Sequence, residues 1–321
     1  MTVPPAVAPL PVSLDAILAA RRALAGVAVK SPMVEVAGRP LYLKCEHLQP
    51  IGAFKIRGAF TAIDRLGPAG RAGGVVTSSS GNHGQAVAWA ARRFGIRSVV
   101  VMPESAPGVK VAGVRSHGGE VVFAGATRSP EQQIRAERFV AEEGLAMIPP
   151  FDHPDVIAGQ GTAGLEILEQ VPAVATVLVP VGGGGLLSGI ATAIKALRPE
   201  VEIIGVEPAG APKLAAALAG GRPVLLGATE SVADGLLTRA VGALPWALIQ
   251  QHVRRAVGVS DTEIGQAVRW LFEHQGLKVE PSGAVSVAAL LAGRIESPGP
   301  VVAVLSGGNV DPDVFQRLVT G

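Results

Sequence analysis

Short apolar, β-branched runs alternate with longer helical patterns along nearly the whole chain, and this alternation is the tightest constraint on its fold. Residues 41–46, 74–77, 98–102, 120–123, 176–181, 202–207 and 300–305 read as strands. Strands without a polar face, separated by helices, belong to parallel sheets covered on both sides. Helix ends are punctuated, for instance by Gly95 after Phe94 and Gly144 after Glu143. The expected class is α/β, with two doubly wound open-sheet domains. The β-α-β-α stretch predicts a smaller, substrate-closing domain over 74–150, inserted into a larger, cofactor-binding one formed by 1–73 and 151–321.

Each of three glycine-containing segments offers one piece of chemistry. In the first, Gly52-Ala53-Phe54-Lys55-Ile56-Arg57-Gly58, glycines let the backbone pass close to a ligand. Apolar neighbours on either side favour a neutral, nucleophilic Lys55 amine. Rival amines are few, with seven lysines against twenty-one arginines. On its own the segment reads as a solvated lysine at a helix start.

The second is Thr77-Ser78-Ser79-Ser80-Gly81-Asn82-His83-Gly84, between a strand pattern and a helical run over 85–94. Hydroxyls, an amide and free peptide N–H groups converge there at a helix N-terminus, a seat for an anion such as a carboxylate. The simpler reading is a polar turn with Ser80 or Asn82 as N-cap and His83 as a satisfied structural histidine. The third is the tetraglycine Gly182-Gly183-Gly184-Gly185, followed by Leu186 and a helical pattern over 186–197. Bare peptide N–H groups at a helix start cradle phosphate. A dinucleotide site competes, since Gly183, Gly185 and Ser188 imitate its fingerprint and Glu207 stands where a ribose-binding acid is expected.

A lysine, a carboxylate seat and a phosphate cup together call for a cofactor that is both aldehyde and phosphate, which is pyridoxal 5′-phosphate. Near the C-terminus, Ser306-Gly307-Gly308-Asn309 follows a strand pattern; it reads as a tight turn, or places Ser306 against the pyridine nitrogen.

The chain resembles the fold-type II pyridoxal phosphate enzymes, tryptophan synthase β-like in architecture, in the branch of threonine/serine dehydratases and serine racemases. The similarity runs from about Leu41 to Asp311 and adds Val156-Ile157-Ala158-Gly159-Gln160-Gly161-Thr162, Ala233-Asp234-Gly235 and Glu280-Pro281-Ser282-Gly283-Ala284 to the segments above. It implies Lys55 as the covalent attachment point and Phe54 and Asn82 against the cofactor ring. It places Gly182, Gly183, Gly184, Gly185 and Leu186 on the phosphate, and Ser306 at the ring nitrogen. Ser79, Ser80, Gly81, Asn82 and His83 would hold the substrate carboxylate, with Ser80 as the acid/base that racemases use opposite the lysine. Glu280 sits at a family position near the cofactor. A homodimer is also implied.

Four residues depart from the pattern. Ala53 replaces the usual serine, Phe151 a polar amide and Gln132 an arginine of the racemases, while Pro150-Phe151-Asp152 reads like the dehydratases. Lys213 stands where a divalent-cation site near Glu207 and Ala211 expects an acid, and a charged lysine cannot ligate a metal. No metal is therefore expected. Only ten residues follow Asp311, so neither an appended regulatory domain nor isoleucine feedback through one is expected.

Composition accords with these expectations. At 321 residues, 48% hydrophobic and 17% charged, the chain can bury a large core and form about two lobes. A net charge of +2 with dispersed basic residues gives no stripe for nucleic acid, and Arg21-Arg22, Arg92-Arg93 and Arg254-Arg255 read as solvated helix faces. A single cysteine, Cys45, excludes an internal disulfide and suits a reducing cytoplasm. The proline-rich start lacks a basic n-region, and no apolar run is long enough to span a membrane, so a soluble protein with a loose arm over the first dozen residues is expected.

The expected reaction is α,β-elimination of water from L-threonine or L-serine, giving a 2-oxo acid and ammonia. Serine racemisation, or dehydration of 3-hydroxyaspartate or phenylserine, is the alternative. Two other classes stay open: a nicotinamide-dependent dehydrogenase and a non-catalytic amino-acid or phosphate sensor.

Overall fold

The computed structural model describes residues 10–320. Six strands form the larger sheet: β1 (Met33–Glu35), β2 (Leu41–Lys44), β7 (Thr176–Pro180), β8 (Glu202–Pro208), β9 (Arg255–Val259) and β10 (Val301–Val304). The smaller sheet holds β3 (Val75–Ser78), β4 (Ser98–Met102), β5 (Glu120–Phe123) and β6 (Ala146–Met147). Their orders are β1-β2-β10-β7-β8-β9 and β5-β4-β3-β6. Pairing is parallel everywhere except between β1 and β2. The sequence pattern misses β1, β6 and β9. All three lie at sheet edges, where a strand needs no continuous apolar run: β6 has two residues, β1 three, and β9 opens on Arg255 and contains Gly258.

Alternate side chains of each strand feed opposite layers. Leu178, Ile204 and Val257 face a core shared with the helices Asp261–Gln275 and Pro281–Leu291, while Val177, Val179 and Ile203 face one shared with the helix Gly185–Leu197. In the smaller sheet, Val76, Val99 and Val101 pack on Phe139, and Val100 and Met102 on Val111 and Val114. The expected loose arm lies mostly on residues 1–9, outside the described residues. Its described end does not fit that expectation, because Val12 is buried against Ile17, Ala20 and Ile157.

The helix Lys55–Arg65 is seated against the helix Pro154–Gln170, so closely that a Cβ on Gly159 would lie 2.4 Å from the Arg57 carbonyl oxygen. A buried ionic quartet fixes the same seat. Arg57 forks onto Glu46 through two bonds of 2.8 Å and onto Glu166 through bonds of 2.7 and 2.8 Å, and Lys44 adds a 2.6 Å bond to Glu166. Burial works against the Arg57 charge, yet the Glu46 and Glu166 carboxylates outweigh it and raise the pKa. These partners also explain why β2 stops at Lys44, short of the expected residue 46: Glu46 opens a 3₁₀ turn that aims its carboxylate at Arg57. Cys45, between them, is buried, and desolvation pushes its thiol up to about 12. Among the described residues no helix is long and apolar enough to cross a membrane.

Candidate active site

Ligands of open parallel sheets settle beyond the carboxyl ends of strands. Here the ends of β3, β7 and β10 lead into the turns holding Ser79 to His83, the tetraglycine and Ser306. An antiparallel bridge between Ala53 and Gly307, with the Phe54 N–H donating to the Ser306 carbonyl at 3.1 Å, brings Lys55 alongside. The result is a cleft with a cavity volume of about 230 Å³. The residues assigned above to pyridoxal phosphate and the substrate carboxylate all line it: Phe54, Lys55, Ser79, Ser80, Gly81, Asn82, His83, Gly182, Gly183, Gly184, Gly185, Leu186 and Ser306.

Lys55 is the first residue of its helix, where the helix dipole disfavours a cation. Half-buried because it faces the cleft, it nevertheless has an amine enclosed deeply enough that burial pushes its pKa down to about 8. That amine donates to the Pro150 carbonyl at 2.7 Å.

The helix expected over 85–94 begins three residues earlier, as Asn82–Phe94, and neither expected N-cap acts as one. Gly81 holds the cap position, while the Ser79 hydroxyl accepts from the N–H groups of Gly81 (3.2 Å) and Gly84 (3.1 Å). Asn82 is engaged elsewhere: its amide donates to Glu280 at 2.5 Å and accepts from Asn309 at 2.9 Å. Ser80 accepts from Arg128.

His83 is only half satisfied. Its Nε2 bonds the Ile148 carbonyl at 3.0 Å and must carry the proton, while buried Nδ1 has no partner. Burial, reinforced by Lys55, pushes its pKa down to about 3. A neutral ring with an accepting Nδ1 cannot donate to a carboxylate, which leaves the peptide N–H groups of this turn for that task.

The tetraglycine is a cradle that side chains would fill. A Cβ on Gly183 would fall 2.3 Å from the Phe151 ring, and Gly184 adopts φ +93. Its N–H groups precede or open the helix Gly185–Leu197, where no intrahelical acceptor exists. Buried Ser306 adds a hydroxyl whose contact, to the Ser282 carbonyl, is a loose 3.4 Å. A depressed lysine amine, a glycine cradle at a helix start and an available hydroxyl fit pyridoxal phosphate.

Residues 28–307 match the family described as "Pyridoxal-phosphate dependent enzyme". The chain belongs to that family. It is 46% identical to the L-threonine ammonia-lyase of Geobacter sulfurreducens, over 89% of this chain and 71% of that one. It is 41% identical to a putative threonine dehydratase of Sinorhizobium fredii, over 96% of both. The solved structure of maize serine racemase superposes with a TM-score of 0.91 at 37% identity, covering 95% of this chain and 96% of that chain. As a pyridoxal-phosphate enzyme of fold type II, the protein has no need of a nicotinamide.

The dinucleotide alternative also fails on geometry. Glu207 is fully buried rather than in the cleft, and its carboxylate accepts from the N–H groups of Leu214 and Ala215, both at 2.8 Å. The Lys213 ammonium lies 3.5 Å from the same carboxylate and donates to the Ala211 carbonyl at 2.9 Å. Burial lowers Lys213 to about 8 and raises Glu207.

The sequence did not single out two cations that the structure adds to the cleft, Lys110 and Arg128. Buried Lys110 joins Asp234 at 2.6 Å and Glu280 at 3.2 Å, partners that outweigh burial and raise its pKa; burial raises Glu280. Its only local signal was a lysine flanked by Val109 and Val111.

Proposed function

We propose that the protein is a threonine/serine ammonia-lyase, removing water from a β-hydroxy L-amino acid to give a 2-oxo acid and ammonia. What carries this reading is the enclosed Lys55 amine, depressed to about 8, in one cleft with the carboxylate seat at Ser79–His83. Tetraglycine N–H groups would hold the phosphate, Phe54 and Asn82 would flank the ring, and Ser306 would meet its nitrogen. When bound, pyridoxal phosphate supplies a conjugated electron sink that acidifies the α-C–H of an amino acid joined to it. The peptide N–H groups of Ser80, Asn82 and His83, those of the turn not already given to Val101 or Ser79, hold the α-carboxylate, so that the substrate enters with its Cα fixed. The free Lys55 amine would take the α-proton onto Nζ. The β-C–O bond then breaks as Nζ returns that proton to the departing hydroxyl, which leaves as water, and a second water hydrolyses the released enamine to the 2-oxo acid and ammonia. A hydroxyl at Ser306, unlike a carboxylate, does not hold the ring nitrogen protonated, and this weaker sink favours prompt loss of a β-leaving group. Ammonia and 2-oxo acid release measured over a panel of amino acids tests the reading; production of D-serine faster than 2-oxo acid would make the protein a racemase instead.

Segment 74–150 is the unit that closes over substrate, since its Lys110 and Arg128 bond Asp234 across the cleft. A homodimer in a reducing cytoplasm accords with the likeness to the family and with the lone buried thiol.

Ser80 separates elimination from racemisation. Lys55 alone can deprotonate an L-amino acid, whereas a D-enantiomer needs an acid/base on the other face. Ser80→Ala is expected to lose D-serine-directed activity and keep L-specific elimination above about a tenth of wild type, a barrier change under about 1.4 kcal/mol. Chiral chromatography alongside 2-oxo acid release decides the matter.

Lys213 carries a second expectation. Its ammonium rests on the Glu207 carboxylate and the Ala211 carbonyl, the two ligands that a divalent ion uses in the cation site of relatives. Adding Mg²⁺ or Ca²⁺, or a chelator, is expected to leave both kcat/KM and the melting temperature essentially unchanged. Activity that collapses with chelator and returns with the ion defeats this assignment.

A further inference from the structure

Asn309 ends the Ser306-Gly307-Gly308-Asn309 turn, and the chemistry above gives it no task. Its side-chain nitrogen donates twice, to the Ile51 carbonyl at 2.8 Å and to the Asn82 side-chain oxygen at 2.9 Å. Two glycines leave room for these contacts. A Cβ on Gly52, a residue with φ +72, would lie 2.5 Å from Asn309 Oδ1. A Cβ on Gly307 would overlap Glu280 Oε1 and lie 2.9 Å from Asn82 Nδ2.

The donors and acceptors along this chain admit one arrangement. A peptide carbonyl only accepts, so Ile51 turns the nitrogen of Asn309 towards itself; the second N–H of that nitrogen reaches Asn82 and turns the Asn82 oxygen towards Asn309. Asn82 Nδ2 therefore faces the other way, where one N–H meets Glu280 at 2.5 Å and the other is left for the cleft that Asn82 lines. Glu280 by itself could not impose this. A carboxyl accepts when ionised but donates when protonated, and burial favours the protonated form of this one. Beside Glu280 alone, either orientation of the Asn82 amide would find a partner. The Ile51 carbonyl, acting through Asn309, removes the choice.

We infer that Asn309 is a positioning residue, which keeps the Asn82 amide nitrogen turned to the cofactor ring and so supplies an N–H to the phenolic 3′-oxygen of pyridoxal phosphate. A hydrogen bond donated to the charged form favours that form, so the 3′-oxygen is held ionised. The opposite orientation would offer it an acceptor and favour the protonated oxygen. The inference rests on the reading that Asn82 stands beside the ring.

Absorption spectra of the reconstituted holoprotein test it, because the lysine-linked cofactor absorbs in the visible with its 3′-oxygen ionised and in the near ultraviolet with it protonated. Wild type, Asn309→Ala, Asn82→Ala and the double variant are compared at one pH. Asn309→Ala is expected to lower the ratio of visible to near-ultraviolet absorbance at least about fivefold, as the loss of one hydrogen bond entails. Asn82→Ala is expected to lower it comparably, and Asn309→Ala on that background to add nothing, because one residue acts through the other. If Asn309→Ala does not fold, Asn309→Asp, which keeps the size of the side chain and removes its donor, is read in the same way. A ratio moved by Asn82→Ala and not by the change at 309 overturns the inference while leaving Asn82 beside the ring. An equal effect at 309 with and without the Asn82 side chain overturns it too, since Asn309 would then act elsewhere. A ratio that Asn82→Ala does not move removes Asn82 from the ring, and the inference with it.

Discussion

Lys55→Ala is expected to abolish ammonia release from every amino acid, with kcat falling by at least about a thousandfold, and to remove the visible absorbance of the protein-linked cofactor. One substitution deletes both the attachment point and the base. No other lysine is placed to take over. Of the seven, only Lys55 and Lys110 line the cleft, and Lys110 is held charged by Asp234 and Glu280. Borohydride reduction followed by peptide mapping should label Lys55 alone in wild type. A reducible adduct in the alanine variant would assign the attachment to a different lysine.

The same amine sets a pH dependence. Burial lowers its pKa from 10.5 to about 8, so the neutral form predominates above about pH 8 and falls about tenfold for each pH unit below. Attachment of pyridoxal phosphate to the apoprotein should therefore accelerate with pH and level off near 8. Continued acceleration towards 10.5 would mean that the amine is solvated.

Arg57→Met is expected to cost on the order of 3–5 kcal/mol of stability, because it strands two carboxylates in the interior. Glu46 is fully buried and Glu166 nearly so, and both lose a forked partner at once; Lys44 still contacts Glu166 directly, whereas Glu46 keeps only its attraction at longer range. Arg57→Lys should recover little, since an ammonium cannot fork onto both acids. The urea midpoint reads the loss directly. An unchanged midpoint for Arg57→Met would show that the quartet contributes specificity rather than stability. Since Arg57 lies two residues beyond Lys55 in the same helix, cofactor affinity should fall with it.

The chemistry that could be read from the sequence was the chemistry that the chain carries locally. Anion seats at strand-to-helix turns need only neighbouring residues, so the turns around Ser79, Gly183 and Ser306 announce themselves before any folding is considered. Central strands were equally plain, because burial on both faces demands an unbroken apolar run, whereas edge strands such as β9 tolerate Arg255 and Gly258. What escaped depends on partners far apart in the chain. Asn82 meets Glu280 across 198 positions, and this bond takes the side chain that local rules assign to capping. Lys110, Arg128 and the Arg57 quartet are likewise ordinary charges until the fold supplies their surroundings.

The burial of Cys45 makes the protein almost blind to thiol reagents. With its thiol enclosed and pushed up to about 12, it presents next to no thiolate near neutral pH. A pair of cysteines introduced at exposed Arg92 and Arg254, one beside each sheet, can therefore carry fluorophores on the native background without first removing the endogenous residue. Distances between such dyes would report in real time whether the two sheets approach one another during turnover.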